Sequence, residues 1–347
     1  RDYGDPHAEH LRVRRAAGLF DLTHLGRFDI LGKNRAAFLQ SLFTNNIEDA
    51  PPGAVLYGLF CNPDGGVIDD ALVLNLPDRL CVSVSAENAA ALEAWLHSRA
   101  LEADGVNMRD ETSRTVALSL QGPASRAVLG AIAPGAAGQL QRGQCLQTTL
   151  DGTDVVIARA GYTGERGYDL FCPEKNAAAL WGRLLEAGRP LGLGPAGMAA
   201  RESLRIEACL PAYGHELAED RSPIEAGLKV FVDFAKRFIG RGAVIAQSNS
   251  EHSPWLVAFE MAGDCLPRPG NEVEADDQPT GVVTSATWSP CLKKNVGMAY
   301  IAQYYSLSGR MVNIRVERRR HPAFIVDKPL FRRNQTSAAP ARRLTVQ

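Results

Sequence analysis

Residues 61–76 have the sequence CNPDGGVIDDALVLNL, in which a turn signal is followed by a strand pattern. Proline fixes φ, and two successive glycines adopt positive φ at no steric cost. Runs of strand composition lie on both sides of this turn, at residues 54–61 and 67–76. The stretch therefore predicts a β-hairpin, and the rest of the chain is interpreted outward from it.

Two adjacent aspartates, Asp69 and Asp70, lie in the second predicted strand, and alternation places them on opposite faces. Asp69 shares its face with Val67, Ala71, Val73 and Asn75, whereas Asp70 shares its face with Ile68, Leu72, Leu74 and Leu76. A carboxylate among leucines either finds a donor or has its pKa raised by desolvation, as acid/base groups do. Asp70 is therefore the predicted catalytic residue. The alternative is a hairpin whose acidic pair is solvated or caps a neighbouring loop.

The composition is that of an ordinary globular protein. The chain has 347 residues, with 38 Lys and Arg against 39 Asp and Glu, so its net charge favours neither nucleic acid nor an anionic membrane. Its seven cysteines are scattered and form no C-x-x-C pair, which predicts reduced thiols, no metal site and a cytoplasmic location. No apolar run approaches the roughly 18 residues that a spanning helix needs.

Helical and strand patterns are mixed through the first 250 residues. Periodicity predicts helices near 7–18, 34–45, 87–103, 122–131, 174–187 and 197–210, with strands near 26–31, 80–85, 115–121 and 154–159 and a loop at 134–138. From residue 254 the chain changes to short strand-like runs, which predict a small β-barrel or sandwich up to residue 334. The polar residues 335–347 predict a disordered tail.

Three local features leave alternatives open. Gly161, Gly164 and Gly167 suggest a loop that approaches something flat or anionic, although a hairpin connection is the simpler interpretation. Arg201 and Arg205 lie four apart on one predicted helix face, which is either solvated or holds a carboxylate. A basic cluster at 315–320 has no interleaved aromatic residues, so it predicts a solvated strand edge rather than an RNA site.

Eight motifs together resemble the aminomethyltransferase (T-protein) family of the glycine cleavage system. They are, in order, GLFDLTHLG (18–26), GGVIDD (65–70), LQGP (120–123), GYTGE (161–165), RESLRIEA (201–208), PIEAGL (223–228), FIGR (238–241) and TSATWSP (284–290). The resemblance covers about residues 8–332. The resemblance implies an α+β fold of three lobes arranged as a cloverleaf. Two interleaved α+β subdomains would form a catalytic module over residues 1–250, and a C-terminal β-barrel would follow over residues 254–334.

The resemblance also implies an activity and a set of site residues. The family transfers a one-carbon unit from an aminomethyl group on a lipoyl carrier protein to N5 of tetrahydrofolate, and ammonia leaves. Asp70 matches the family's key carboxylate. Tyr57, Tyr162 and Arg201 match positions in its folate channel, and Asp169 matches its pterin-binding Glu.

Departures from the family pattern lie on the substrate side, to which Leu72 and Ser85 are also assigned. The family's Asn that helps to position the aminomethyl group falls at Ser85, and its Trp after Ala-Gly-Leu falls at Val230. One alternative is a tetrahydrofolate-dependent demethylase that takes a small methylated amine, sulfonium or ether as its donor. Another is a non-catalytic folate-binding regulatory protein, although such relatives carry a Lys-Gly-Cys-Tyr-Thr-Gly motif that this chain lacks.

Overall fold

The structure is a computed structural model that describes residues 2–250 and 253–333. The predicted tail at 335–347 lies outside the described residues. The helices are α1 (Pro6–Arg15), α2 (Arg35–Gln40), α3 (Ala89–Ala100), α4 (Ser125–Ile132), α5 (Pro134–Gln139), α6 (Ala177–Gly188), α7 (Met198–Glu207) and α8 (Arg241–Ser248).

Two sheets and a barrel contain the strands. The strands of the first two lobes are β1 (Ala17–Asp21), β2 (Gly26–Leu31), β3 (Val55–Cys61), β4 (Val67–Asn75), β5 (Leu80–Val84), β6 (Asn107–Asp110), β7 (Thr115–Gln121), β8 (Cys145–Leu150), β9 (Thr153–Ala158), β10 (Gly167–Pro173) and β11 (Leu193–Pro195). The strands of the barrel are β12 (Pro254–Met261), β13 (Glu272–Ala275), β14 (Gln278–Ser289), β15 (Lys294–Ala302), β16 (Met311–Val316) and β17 (Arg319–Val326).

The two sheets are interleaved along the chain. One has the order β11-β1-β7-β10-β9-β8 and the other the order β3-β4-β5-β2-β6. The chain places β1 in the first sheet, completes the whole second sheet, and then returns to the first at β7. Strands β12 to β17 close into a barrel in the order β12-β15-β14-β13-β16-β17. The predicted α+β fold with a C-terminal barrel is confirmed, and the sandwich alternative is wrong.

Residues 134–138 form a helix rather than the predicted loop. Pro134 occupies the first turn of α5, where its missing N–H costs nothing, and an alanine-rich sequence follows it. Ala136 and Ala137 are buried in the core of the first sheet. The glycines in this segment therefore did not prevent a helix, because burial of the alanines stabilises it.

The barrel also positions the basic cluster that the sequence placed at a solvated edge. Arg315 on β16 and Arg320 on β17 remain 46% exposed, and both pair with Glu274 of β13. Arg320 also pairs with Asp277. The side chains are thus half-exposed, as a solvated edge requires, but carboxylates on the same barrel compensate them.

The predicted hairpin is present as β3 and β4, and its turn is held by the segment at 218–221. The Asn62 side chain accepts from Gly66 N (2.9 Å) and donates to the Glu219 carbonyl oxygen (2.9 Å). Val67 N donates to the carbonyl oxygens of Ala218 and Arg221. The tip of the hairpin therefore packs directly on backbone from another part of the chain.

We expect Gly66→Ala to destabilise the protein by about 2–3 kcal/mol, because the tip leaves no room for a methyl group. A Cβ on Gly66 would lie 1.7 Å from the Glu219 carbonyl oxygen, and backbone cannot move aside cheaply. Gly182→Ala is the control, since Gly182 lies in α6 with nothing within 4 Å of its added Cβ. That variant should be stabilised by about 0.5–1 kcal/mol. Urea unfolding measures the free energy of unfolding of both variants. Equal values for Gly66→Ala and Gly182→Ala would contradict the prediction.

Candidate active site

Asp70 finds a hydrogen-bond donor across the hairpin. The Tyr57 hydroxyl on β3 donates to Asp70 Oδ2 on β4 at 2.9 Å, and both side chains are half-buried. Phe231 holds the Tyr57 ring edge-on, with centroids 4.7 Å apart. Burial raises the pKa of Asp70, and the hydrogen bond from Tyr57 opposes that rise. The alternative of a fully solvated pair is therefore wrong for Asp70.

Asp69 is the more deeply buried of the two aspartates, with no exposed surface. Ser85 Oγ lies 2.8 Å from both of its carboxylate oxygens, and Asp70 N donates to Asp69 Oδ1 at 2.9 Å. Burial, followed by the neighbouring charge of Asp70, raises the pKa of Asp69. Ser85, which was expected on the substrate side, thus binds the aspartate that faces away from Tyr57.

The apolar neighbours predicted for Asp70 on β4 are only partly those observed. Register shifts between Phe60 and Cys61, so that Cys61 pairs with Val67 and Phe60 with Asp69. Ile68 then packs in the cluster that contains Ala71 and Val73, not with the leucines on the Asp70 side. Both faces of β4 are apolar, so an apolar setting does not distinguish the aspartates. What distinguishes them is Tyr57, which of the two aspartates binds only Asp70. Leu72 lies half-buried on the same side of β4 as Asp70.

The first sheet and α7 supply three further predicted residues to one cluster. The Arg201 guanidinium stacks on the Tyr162 ring, with its carbon 4.8 Å from the ring centroid. Ser119 donates to Asp169 Oδ1 at 2.6 Å. Burial raises the pKa of Asp169, while the Ser119 hydrogen bond and the charge of Arg201 oppose the rise. The predicted Tyr162, Asp169 and Arg201 therefore lie together.

This second group lies near the first, close enough for the charge of Asp70 to act on both tyrosines. Burial raises the pKa of Tyr57, and the charge of Asp70 and the hydroxyl of Tyr162 add to the rise. Burial also raises the pKa of Tyr162, and the charge of Asp70 contributes there too. The five side chains that make up the two groups are all half-buried: Tyr57, Asp70, Tyr162, Asp169 and Arg201.

Two of the three glycines at 161–167 are explained by Gln121, a residue that the sequence does not mark as part of the site, and Gly164 is required by its positive φ of 75°. Strands β9 and β10 are antiparallel neighbours, so the loop between them is a hairpin connection, the simpler of the two interpretations of this sequence. Added Cβ atoms on Gly161 and Gly167 would lie 2.1 Å and 2.2 Å from the buried Gln121 side chain. Gln121 also accepts from Thr163 Oγ1 and donates to Ser119 Oγ. Gln121 and Ser119 thus fix the loop that carries Tyr162.

The interpretation of Arg205 as part of a solvated face is wrong. Arg205 has no exposed surface and pairs with Glu216 (2.8 Å) and with Glu202 (2.6 Å). Arg201, one turn earlier, keeps part of its surface and has a buried Nη1 without a hydrogen-bond partner among residues 2–250 and 253–333. The two arginines therefore differ: Arg205 is compensated within the protein, whereas Arg201 has a buried donor without a partner among the described residues.

A second buried cluster lies between α1, α7 and the barrel. His10, Glu207 and Cys291 have ligand atoms within 4.8 Å of one another, the kind of donor set that could hold a metal. Arg14 already donates to Glu207 Oε2 from Nε (3.0 Å) and Nη2 (2.8 Å), and Ser289 donates to Oε1. Because these donors neutralise the carboxylate, we interpret the cluster as an ion-pair network that fastens α1 to α7.

Two family models match the chain. The model described as "GCVT N-terminal domain" matches residues 5–236, and the model described as "Glycine cleavage T-protein C-terminal barrel domain" matches residues 255–332. The chain therefore belongs to the glycine cleavage T-protein family, and the predicted family membership is confirmed.

Within the described residues, no helix is long and apolar enough to cross a membrane.

Curated relatives in this family are named aminomethyltransferase. The relative from Geobacillus kaustophilus is 40% identical, and the match covers 94% of this chain and 90% of the relative. The relative from Caldanaerobacter subterraneus subsp. tengcongensis is 39% identical, and the match covers 94% of this chain and 88% of the relative. The crystal structure of glycine cleavage system aminomethyltransferase T from Bartonella henselae has a TM-score of 0.86 at 29% identity, covering 94% of this chain and 89% of that chain. These similarities confirm the prediction of a transferase of the aminomethyltransferase class.

Proposed function

We propose that the chain transfers a one-carbon unit from an aminomethyl group on the lipoyl arm of a carrier protein to tetrahydrofolate. The bonds of this carbon to the amino nitrogen and to the lipoyl sulfur break, so ammonia and the dihydrolipoyl carrier are released. The observation that carries this proposal is the pairing of Asp70 with Tyr57 near the group of Tyr162, Asp169 and Arg201. It places one carboxylate apart from a set of groups suited to a polar, planar ligand. The names of the relatives support the same reaction class.

The donor set fits tetrahydrofolate. Asp169 would accept hydrogen bonds from the 2-amino-pyrimidinone edge of the pterin, since a carboxylate accepts two parallel N–H donors. Arg201 Nη1 is buried without a partner, so a ligand acceptor there would relieve an unmet donor. Tyr57 and Tyr162 would supply aromatic surface beside the ring system. Tetrahydrofolate, when bound, supplies the N5 nucleophile that accepts the methylene group.

Asp70 would act through its negative charge. Positive charge develops at the methylene carbon as the amino group leaves, and a fixed carboxylate stabilises such charge without reorganising. Tyr57 fixes the carboxylate by its hydrogen bond to Oδ2, leaving Oδ1 for the reacting groups. Because Leu72 and Leu74 pack on the same side of β4, water is partly excluded from this carboxylate and its interactions are strengthened.

A two-stage assay tests the proposal. Tetrahydrofolate is first titrated into the purified protein, and then aminomethylated lipoyl carrier protein is added and released ammonia is measured. Binding followed by ammonia release is the expected result. Absence of tetrahydrofolate binding would overturn the assignment of Tyr162, Asp169 and Arg201.

A second candidate keeps the tetrahydrofolate site and changes the donor to a small methylated amine, sulfonium or ether. The observation that favours it is Ser85, which stands where the family has an Asn and binds Asp69 instead of facing Tyr57. Binding of tetrahydrofolate without ammonia release from the lipoyl carrier would support this demethylase. Product formation from such small donors would then identify the class.

We expect Tyr57→Phe to move the acid limb of the pH–rate profile upward by about one pH unit, since a hydrogen bond to a charged group is worth about 1.5–3 kcal/mol. Activity requires ionised Asp70, and burial raises its pKa, so the rate falls as pH drops through that raised value. The Tyr57 hydrogen bond holds this pKa down, and removing it raises the pKa further. Phe retains the contact with the Phe231 ring. An unchanged acid limb in kcat against pH would contradict the assignment.

A further inference from the structure

A buried network connects the barrel to the ring on which Arg201 stacks. The Tyr162 hydroxyl donates to the Pro211 carbonyl oxygen and lies 3.4 Å from that of Leu210. These carbonyls belong to the segment directly after α7. The orientation of the Tyr162 ring, and with it the support under the Arg201 guanidinium, therefore depends on where this segment lies.

Glu216 and Arg205 fix the segment. Glu216 Oε2 accepts from Ala212 N at 3.1 Å and from Arg205 Nη1 at 2.8 Å, and the same Nη1 donates to the Leu210 carbonyl oxygen at 3.3 Å. Arg205 and Glu216 have no exposed surface. A buried ion pair is stable only when its remaining donors and acceptors are also satisfied, so further partners are required.

The barrel supplies those partners. Ser285 of β14, which is 2% exposed, donates to Glu216 Oε1 at 2.6 Å and accepts from Arg205 Nη2 at 2.7 Å. Tyr300 of β15 donates to the Glu216 carbonyl oxygen at 2.8 Å. One hydroxyl of the barrel thus contacts both members of the buried pair.

We infer that Ser285 is a positioning residue, which acts from the barrel on the tetrahydrofolate side of the site through Glu216, Pro211 and Tyr162. The inference rests on the proposed function, because Tyr162 and Arg201 are taken to contact tetrahydrofolate. Ser285 itself touches none of the site groups. Loss of its hydroxyl removes one partner each from Glu216 Oε1 and from Arg205 Nη2, which keeps Glu202. Because the buried pair also binds the Leu210 carbonyl oxygen and Ala212 N, its readjustment would move the segment at 210–216.

A double-mutant cycle tests this inference. Tetrahydrofolate is titrated into the wild type, Ser285→Ala, Tyr162→Phe and the double variant. Ser285→Ala is expected to raise the Kd about 3- to 10-fold, in the range of coupling energies of networked residues. In the Tyr162→Phe background the same change should have little further effect, because the hydroxyl that transmits it is absent. Ser285→Thr keeps a hydroxyl and should restore binding.

Thr284→Val is the matched control. Thr284 is a buried neighbour on the same strand, and its hydroxyl donates to the Met298 carbonyl oxygen inside the barrel. Its Kd for tetrahydrofolate should equal that of the wild type. Equal losses in Thr284→Val and Ser285→Ala, or additive effects in the double variant, would overturn the inference and leave the proposed function intact. A wild type that binds no tetrahydrofolate would overturn the proposed function itself.

Discussion

Asp70→Asn is expected to reduce kcat/KM by about 100- to 1,000-fold, the effect of removing a preorganised electrostatic group from a transition state. The amide can still accept from the Tyr57 hydroxyl, so the ring and the strand should keep their places. It carries no charge, so the positive charge that develops at the methylene carbon is no longer compensated. Released ammonia measures the loss, and a tetrahydrofolate titration should show a Kd close to that of the wild type.

Asp69→Asn is the matched control for this prediction. Asp69 is the adjacent carboxylate, but it points to the other face of β4, where Ser85 lies 2.8 Å from both oxygens. Because burial already raises its pKa and favours the neutral acid, an amide imitates its native state. Its activity should fall far less than that of Asp70→Asn. Equal losses in the two variants would show that the pair acts as one unit and would contradict a separate role for Asp70.

The hairpin could be predicted from the sequence because its signals are local. Turn residues at 62–66 and alternation in the two strands are sufficient to define it, and alternation also separates Asp69 from Asp70. To identify which aspartate binds Tyr57, the register of the hairpin is also needed. Leu59 pairs with Asp70, so Tyr57, two residues along the same strand, lies diagonally across from Asp70 on the same face. A predicted register would therefore have identified the hydrogen-bond donor.

The partners of the other site residues could not be predicted, because they depend on long-range packing. Asp169 meets Ser119 only when β10 pairs with β7, which brings together residues 50 apart. Arg205 becomes buried because α7 packs against the barrel, where Ser285 contacts it. Helical spacing shows that Arg201 and Arg205 share a face but not which neighbour covers each turn. Local patterns cannot distinguish a compensated arginine from one with an unmet donor.

Arg201→Lys is expected to raise the Kd for tetrahydrofolate by about 10- to 100-fold, since loss of a charged hydrogen bond costs about 1.5–3 kcal/mol. Arginine is required at this position for two reasons. Its planar guanidinium stacks on the Tyr162 ring, and its buried Nη1 has no partner among the described residues. A lysine ammonium is compact and strongly hydrated. Unlike a guanidinium, it has neither a planar face that stacks on the Tyr162 ring nor a fixed fork of N–H donors. Titration of tetrahydrofolate measures the change.

The division of the loss between kcat and KM decides how Arg201 acts. If Arg201 binds tetrahydrofolate and Asp70 stabilises the developing charge, Arg201→Lys raises KM while kcat at saturation stays near that of the wild type. Arg183→Lys is the control, because Arg183 lies on α6 and pairs with the exposed Asp151, so its KM should not change. A fall in kcat at unchanged KM would contradict a binding role. It would place Arg201 beside the reacting atoms, where its positive charge would oppose the charge that Asp70 is proposed to stabilise.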